Sequence, residues 1–188
     1  MGHSQAGKAQ SRERILAEAS RQVRHGGLES ISVGTLMKSV GLTHGGFYGH
    51  FDSREALLVE ALERALVEGE AKASANGSGA PSFSDIARSY LSRTHRDARD
   101  SGCAIAALVS DVARADIASR EAMTEHVETF ISNVAKALDG DDERAIVAVS
   151  AMVGALALSR VVADPARSDA FLKLVRDHLD RIETGEAS

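Results

Sequence analysis

The nine residues Thr43–Phe51, THGGFYGHF, entered through Val40-Gly41-Leu42, constrain this chain more than any other stretch. The whole chain has five Phe and two Tyr, and three of those seven fall here: Phe47, Tyr48 and Phe51. On a helix, Phe47 and Phe51 lie four apart and share one face. That face is predicted to pack inward and to leave His44, Gly45 and Tyr48 on a free one. Gly45, Gly46 and Gly49 would each cost such a helix roughly 1 kcal/mol relative to alanine. Close approach of backbone to a large partner surface, which a missing Cβ permits, would offset that cost. Taken alone, the same residues also read as a glycine-rich loop.

The flanking residues favour the helix. Ser32 is placed to N-cap a short helix with Val33, Leu36, Met37 and Val40 inward. Gly41 ends it where a left-handed backbone is needed. Thr43 is placed to cap a second short helix, and Ser53 a third, much longer one beginning R-E-A-L-L. Two short helices about a tight glycine turn predict a helix-turn-helix, whose second helix enters the DNA major groove.

The segment ISVGTLMKSVGLTHGGFYGHFDSREALLVEAL resembles the DNA-binding region of the TetR-like (TetR/AcrR) transcriptional regulators. The resemblance covers roughly Arg12 to Leu66: capped short helix, glycine turn, Ser/Thr-capped recognition helix, Tyr-x-His-Phe, and a Ser-Lys-Glu-x-Leu helix start. Met37 and Val40 stand where that family often has Ala, and Arg54 where it often has Lys. None of these changes removes a charge or a cap. The resemblance implies an all-α protein with a three-helix head at residues 1–54 and a helical body at 55–188. It also implies dimerisation through the last two long helices and a small-molecule pocket in the body. Gly102-Cys103 with the Ala-rich residues after it, and ALALSRVVADP, are similar to one subset of these regulators.

Composition agrees with an all-helical chain of about nine helices. Hydrophobic content is 44%, charged content 26%, and 188 residues hold only two prolines. Net charge is −5, which alone argues against a nucleic-acid partner. Its distribution argues the other way. Residues 1–52 carry six Lys/Arg against four acids, and residues 53–188 carry 16 against 23. A mildly basic head on an acidic body suits a DNA reader. The single cysteine, Cys103, excludes an intramolecular disulfide and fits a reducing, cytoplasmic setting. No apolar run reaches the ~18 residues of a spanning helix, and Met1–Gln10 lacks a signal-peptide core. That start is small and polar, and is predicted to be disordered.

Along the chain, the first helix is expected from about Ser11 to His25, with Ile15, Leu16, Ala19 and Val23 inward. Lys8, Arg12 and Arg14 at its start could reach phosphates. The long helix from about Ser53 to Ala75 links head to body, and Asn76–Pro81 punctuates the chain. A helix to about Arg96 follows, then about 103–113 and 119–138. The helix 142–162 is apolar nearly all round and so buries two faces, one on its own core and one on a second subunit. The last helix runs from about Ser168 to Ile182.

Within this frame Thr43, His44, Gly45, Gly46, Tyr48 and His50 are the candidate DNA contacts, with Ser32 and Arg54 at the edges. Arg54 and the start of the long helix would hold a phosphate. Phe83, Tyr90, Cys103, Met123 and Phe130 are candidate pocket residues. Val149, Met152, Val153, Leu156, Phe171 and Val175 are candidates for the dimer interface. No metal or cofactor is expected, because His95, Cys103 and His126 lack zinc-site spacing. An enzyme is not expected either: no G-x-S-x-G, H-E-x-x-H, P-loop or dinucleotide glycine pattern is present. The function expected is a ligand-responsive regulator, most simply a repressor, that binds a palindromic operator as a homodimer and is released by a small-molecule effector. The alternatives are a helical adaptor and a redox-sensing regulator using Cys103.

Overall fold

The computed structural model describes residues 5–74 and 81–183, with nine α-helices, two 3-10 helices and no strand among them. The α-helices are α1 (Gln5–Gly26), α2 (Val33–Ser39), α3 (Arg54–Ser74), α4 (Phe83–Tyr90), α5 (Arg93–Asp97), α6 (Ala104–Val112), α7 (Ile117–Ala137), α8 (Asp142–Val161) and α9 (Pro165–Glu183). The 3-10 helices are Leu28–Ser30 and His44–Gly49.

Two apolar clusters form the core. The first joins Ile15 of α1, Leu36 of α2, Phe47, Leu57 and Leu62 of α3, Leu108 of α6 and Met123 of α7. The second joins Phe83, Leu91, Val134, Met152, Leu156 and Leu179 from the helices that follow α3. Cys103, Phe130 and Val153 pack against both clusters. α3 belongs to the first cluster, packing along α1 and on α6 and α7.

Charged side chains line the α1–α3 seam. Arg12 meets Glu60 at 2.5 Å, Arg64 meets Glu13 at 2.6 Å, and Arg24 meets Glu68 at 2.6 Å. Burial alone would raise the Glu68 carboxyl, but hydrogen bonds from Arg64 and Arg24 hold it below the usual carboxylate range. Arg24 is only 7% exposed and also donates to the Ala65 carbonyl. Removing its partner would therefore strand a buried charge.

The helix–turn–helix turn follows from its glycine. Gly41 has φ +73°, Leu42 N–H donates to the Met37 carbonyl at 2.8 Å, and Gly41 N–H to that of Lys38 at 3.0 Å. These paired bonds are a Schellman ending, which uses the last free carbonyls of α2.

Several expectations need correction. The polar N-terminus is helical from Gln5 onward, so only residues 1–4 of that stretch fall outside the description. The single helix expected up to Arg96 is two, α4 and α5. Leu91 turns inward, and the Ser92 hydroxyl accepts from His95 N–H to start afresh. The last helix begins before the expected Ser168: Pro165 opens α9, in the first-turn position where its missing N–H costs nothing. α8 does reach spanning length: its 20 residues are long and apolar enough to cross a membrane, contrary to the expectation from the sequence. In this fold it instead packs on α7 and α9. The punctuation at Asn76–Pro81 lies outside the described residues up to position 80, as does the tail from 184.

Candidate nucleic-acid interface

The segment after the turn is built as expected in its packing and differs in its helix type. Phe47 is fully buried and Phe51 nearly so, and their rings stack at 5.7 Å. Tyr48 meets the Phe47 edge at 5.2 Å yet remains 66% exposed. Thr43, His44, Gly45, Gly46 and Gly49 are exposed around it. The segment is 3-10 and not α-helical over His44–Gly49. Gly46 N–H donates to the Thr43 carbonyl, and the Phe47 carbonyl accepts from both His50 and Phe51. Three glycines in nine residues weaken the α form enough for this tighter winding to compete.

The glycines have no internal reason to be there. A Cβ placed on Gly45 or Gly49 would meet nothing within 4 Å. Neither has the positive φ that requires glycine. At Gly46 it would touch only the Thr43 hydroxyl and Met37 at ordinary distances. The exposed face is thus left thin, open to close approach at Gly45 and Gly49.

The caps are placed differently from expectation. Ser32 and Thr43 hold the N-cap positions with extended backbone, but neither side chain closes a cap hydrogen bond. Their hydroxyls are exposed. Ser53 does cap, accepting from Ala56 N–H at 3.0 Å.

Arg54 departs furthest from expectation. Its guanidinium turns inward, donating to the Ile31 carbonyl at 3.1 Å and reaching Glu29 at 3.3 Å. It clamps the Leu28–Ile31 turn instead of lying free. Arg12 is engaged too, on Glu60 and over the Phe51 ring at 4.7 Å. Lys8 and Arg14 are exposed cations near the start of α1. His50 is held below the ordinary imidazole range, first by burial and then by the charges of Lys8 and Arg12. At neutral pH it offers an N–H and no charge.

Residues 15–61 match the model of the family described as bacterial regulatory proteins, tetR family. The head of the chain is thus similar to the tetR-family DNA-binding region. Three solved structures carry the fold across nearly the whole chain. Escherichia coli NemR in its reduced form is 22% identical, with a TM-score of 0.75 over 92% of this chain and 96% of that one. A TetR-family regulator from Cytophaga hutchinsonii is 18% identical, at 0.75 over 96% and 97%. One from Chloroflexus aurantiacus is 21% identical, at 0.76 over 94% and 96%. No curated protein sequence matches.

In the body the residues named for a pocket do not gather at one place. Phe83 is fully buried in the second cluster and Met123 belongs to the first. Tyr90, Phe130 and Cys103 meet where the clusters adjoin: Tyr90 stacks on Phe130 at 5.4 Å and meets the His95 edge at 4.7 Å. Cys103 N–H donates to His95 Nε2 at 2.9 Å, so Nδ1 carries the proton given to the Tyr90 carbonyl at 2.7 Å. Cys103 itself is half-buried.

The outer face of α8 also differs from the one expected. Val149, Met152 and Leu156 point into the protomer's own core. The exposed stripe is Val147, Leu158 and Val161, with half-buried Gly154 between them, continued on α9 by Leu174 at 60% exposure. A cleft of about 440 Å³ between them is lined by Val147, Ala151, Leu174, Val175 and His178. A helix apolar on every side carries no phase, so its sequence could not say which stripe faces out. Val153 touches both clusters, while Phe171 is half-buried under Arg167 at 5.5 Å.

Proposed function

We propose that the chain is a ligand-responsive repressor acting in the cytoplasm. Two copies would pair through α8 and α9 and present their heads, residues 1–54, to adjacent major grooves of a palindromic operator. The body, residues 55–188, would hold a small-molecule effector. The observation that carries the DNA reading is the open space over Gly45 and Gly49 beside an exposed Tyr48. His44 reads base edges at the start of the segment, and Thr43 and Gly46 sit against the backbone. Tyr48, His50 and Ser32 donate to phosphates. Arg54 supports this surface by holding the turn behind it. With so few long side chains in the groove, DNA shape contributes to specificity.

Gly45→Ala and Gly49→Ala test this directly. Each is expected to leave the protomer as stable as before or slightly more so, because alanine restricts the unfolded chain. Each is expected to lose operator affinity by about tenfold or more, roughly one lost backbone contact. Thermal melts beside gel-shift titrations check it, and full DNA affinity with a bulkier residue there would remove the segment from the groove.

Tyr48→Phe is expected to weaken binding to all sequences alike, whereas His44→Ala shifts base preference. Selection from a randomised operator pool separates the two. An unchanged preference after His44→Ala would discard His44 as a reader.

A further inference from the structure

Arg160, near the end of α8, has no carboxylate partner among the described residues. Its Nε donates to the Arg96 carbonyl and its Nη2 to that of His95, both at 3.1 Å. Burial pushes its guanidinium below the usual arginine range, and the charge of Arg99 adds to that. Other half-buried arginines here each have an acid: Arg24 has Glu68, Arg64 has Glu13 and Glu68, and Arg96 has Asp97 and Asp169. Arg99 too makes no ion pair among the described residues; its hydrogen bond goes to the Arg160 carbonyl at 3.2 Å. Two guanidinium groups thus stand close together, and the acid that acts on both, Asp97, is hydrogen-bonded to Arg96.

They line one cleft of about 200 Å³, with Arg96, Asp97, Val162 and Ala163. Asp97 is the one acid on its wall, and it is already engaged by Arg96 at 2.8 Å. The lining therefore carries three cations against one anion, with an apolar flank at the α8–α9 corner. The volume lies below the ~300 Å³ at which drug-sized sites begin. A planar, doubly accepting anion is what two guanidinium forks match best.

We infer that this cleft binds a small organic carboxylate through Arg160 and Arg99, and that it is an effector site of the regulator. The effector half of this inference rests on the ligand-responsive reading above. The connection to the head is covalent and short. Arg99 is followed by Asp100, whose carboxylate meets His25 Nδ1 at 3.0 Å and Arg21 at 3.5 Å on α1. Gly102 closes the same segment, and a Cβ there would meet the Ala98 carbonyl oxygen at 2.6 Å and Arg160 at 3.1 Å. A segment so tightly seated passes a pull on Arg99 to Asp100, and so to α1.

Propionate is the probe, with propionamide as its uncharged counterpart, both at fixed ionic strength. The full chain is titrated by ¹H–¹⁵N chemical shifts, and its selected operator is followed by gel shift. Saturable shifts at residues 96–103 with propionate, absent with propionamide, are expected. Arg99→Gln, exposed and tied only to one carbonyl, should weaken propionate by about tenfold. Arg160→Lys keeps a charge but loses the fork, and should weaken it likewise. Operator affinity should change with propionate in the parent chain and not in Arg99→Gln. No saturable shift, or one indifferent to Arg99→Gln, overturns the site. Saturable, Arg99-dependent binding with unmoved operator affinity keeps the site and overturns its effector role. The same binding in a chain that ignores DNA keeps the site while the repressor reading fails.

Discussion

Gly154→Leu is expected to yield a folded protomer that no longer pairs, and with it a loss of palindrome affinity of about a hundredfold or more. Gly154 lies mid-helix in α8, where glycine costs about 1 kcal/mol relative to a good helix former. A Cβ at that position meets nothing within 4 Å inside the protomer. Its neighbours along the outer stripe, Val147 and Leu158, are 58% and 52% exposed. The protomer alone therefore gains from leucine. If a second α8 packs against this stripe, it must approach the glycine closely, and leucine holds it off. The same substitution thus raises helix stability and lowers dimer stability, a pairing that general misfolding cannot imitate. Light scattering gives the mass, circular dichroism the helix content, and gel shift the operator affinity. A variant that remains dimeric, or a parent chain that is already monomeric, would assign the α8 stripe to some other role.

Phe47→Ala is expected to cost about 3–5 kcal/mol and to dissolve the head. The ring is fully buried, stacks on Phe51 and stands among Leu36, Met37 and Leu57. The segment that holds it has three glycines, and the buried ring is its main apolar anchor. Loss of the ring should free the Tyr48 face as well, and DNA binding should vanish even where the body stays helical. Denaturant titration followed by circular dichroism checks the first part and gel shift the second. A melt within experimental error of the parent would show that the ring is not the anchor. The contrast with Gly45→Ala is the useful one: one change removes DNA binding through the fold, the other without touching it.

Much of the head could be read from the sequence because its signals are local. Gly41 between two apolar turns, Ser53 three residues before Ala56, and Phe47 four before Phe51 each specify a neighbour a few positions away. The structure bears these out. Ser32 and Thr43 occupy the cap positions without making the cap bond, since residue type fixes the propensity and not the rotamer. Arg54 was misread for another reason: its partners, the carbonyl of Ile31 and the carboxylate of Glu29, lie more than twenty positions back. Long-range pairs of this kind leave no periodic trace. The same holds for Arg160 with His95 and Arg96, and for Asp100 with α1, none of which stood out in the chain. α8 failed through excess of signal, because every side is apolar and the stripe that faces out is decided only by where α7 and α9 lie.

The first apolar cluster does not stop at the head. It passes from Phe51 and Leu57 through Leu108 to Met123, and Asp111 of α6 takes the Leu28 N–H at 3.2 Å. The head is therefore geared to its body and does not swing on a tether. A pair of geared heads tolerates little error in the gap between half-sites. One extra base pair at an operator's centre displaces the second site by about 3.4 Å along the axis and about a tenth of a turn around it. A loosely jointed reader would follow that offset, whereas this one is expected to let the altered operator go.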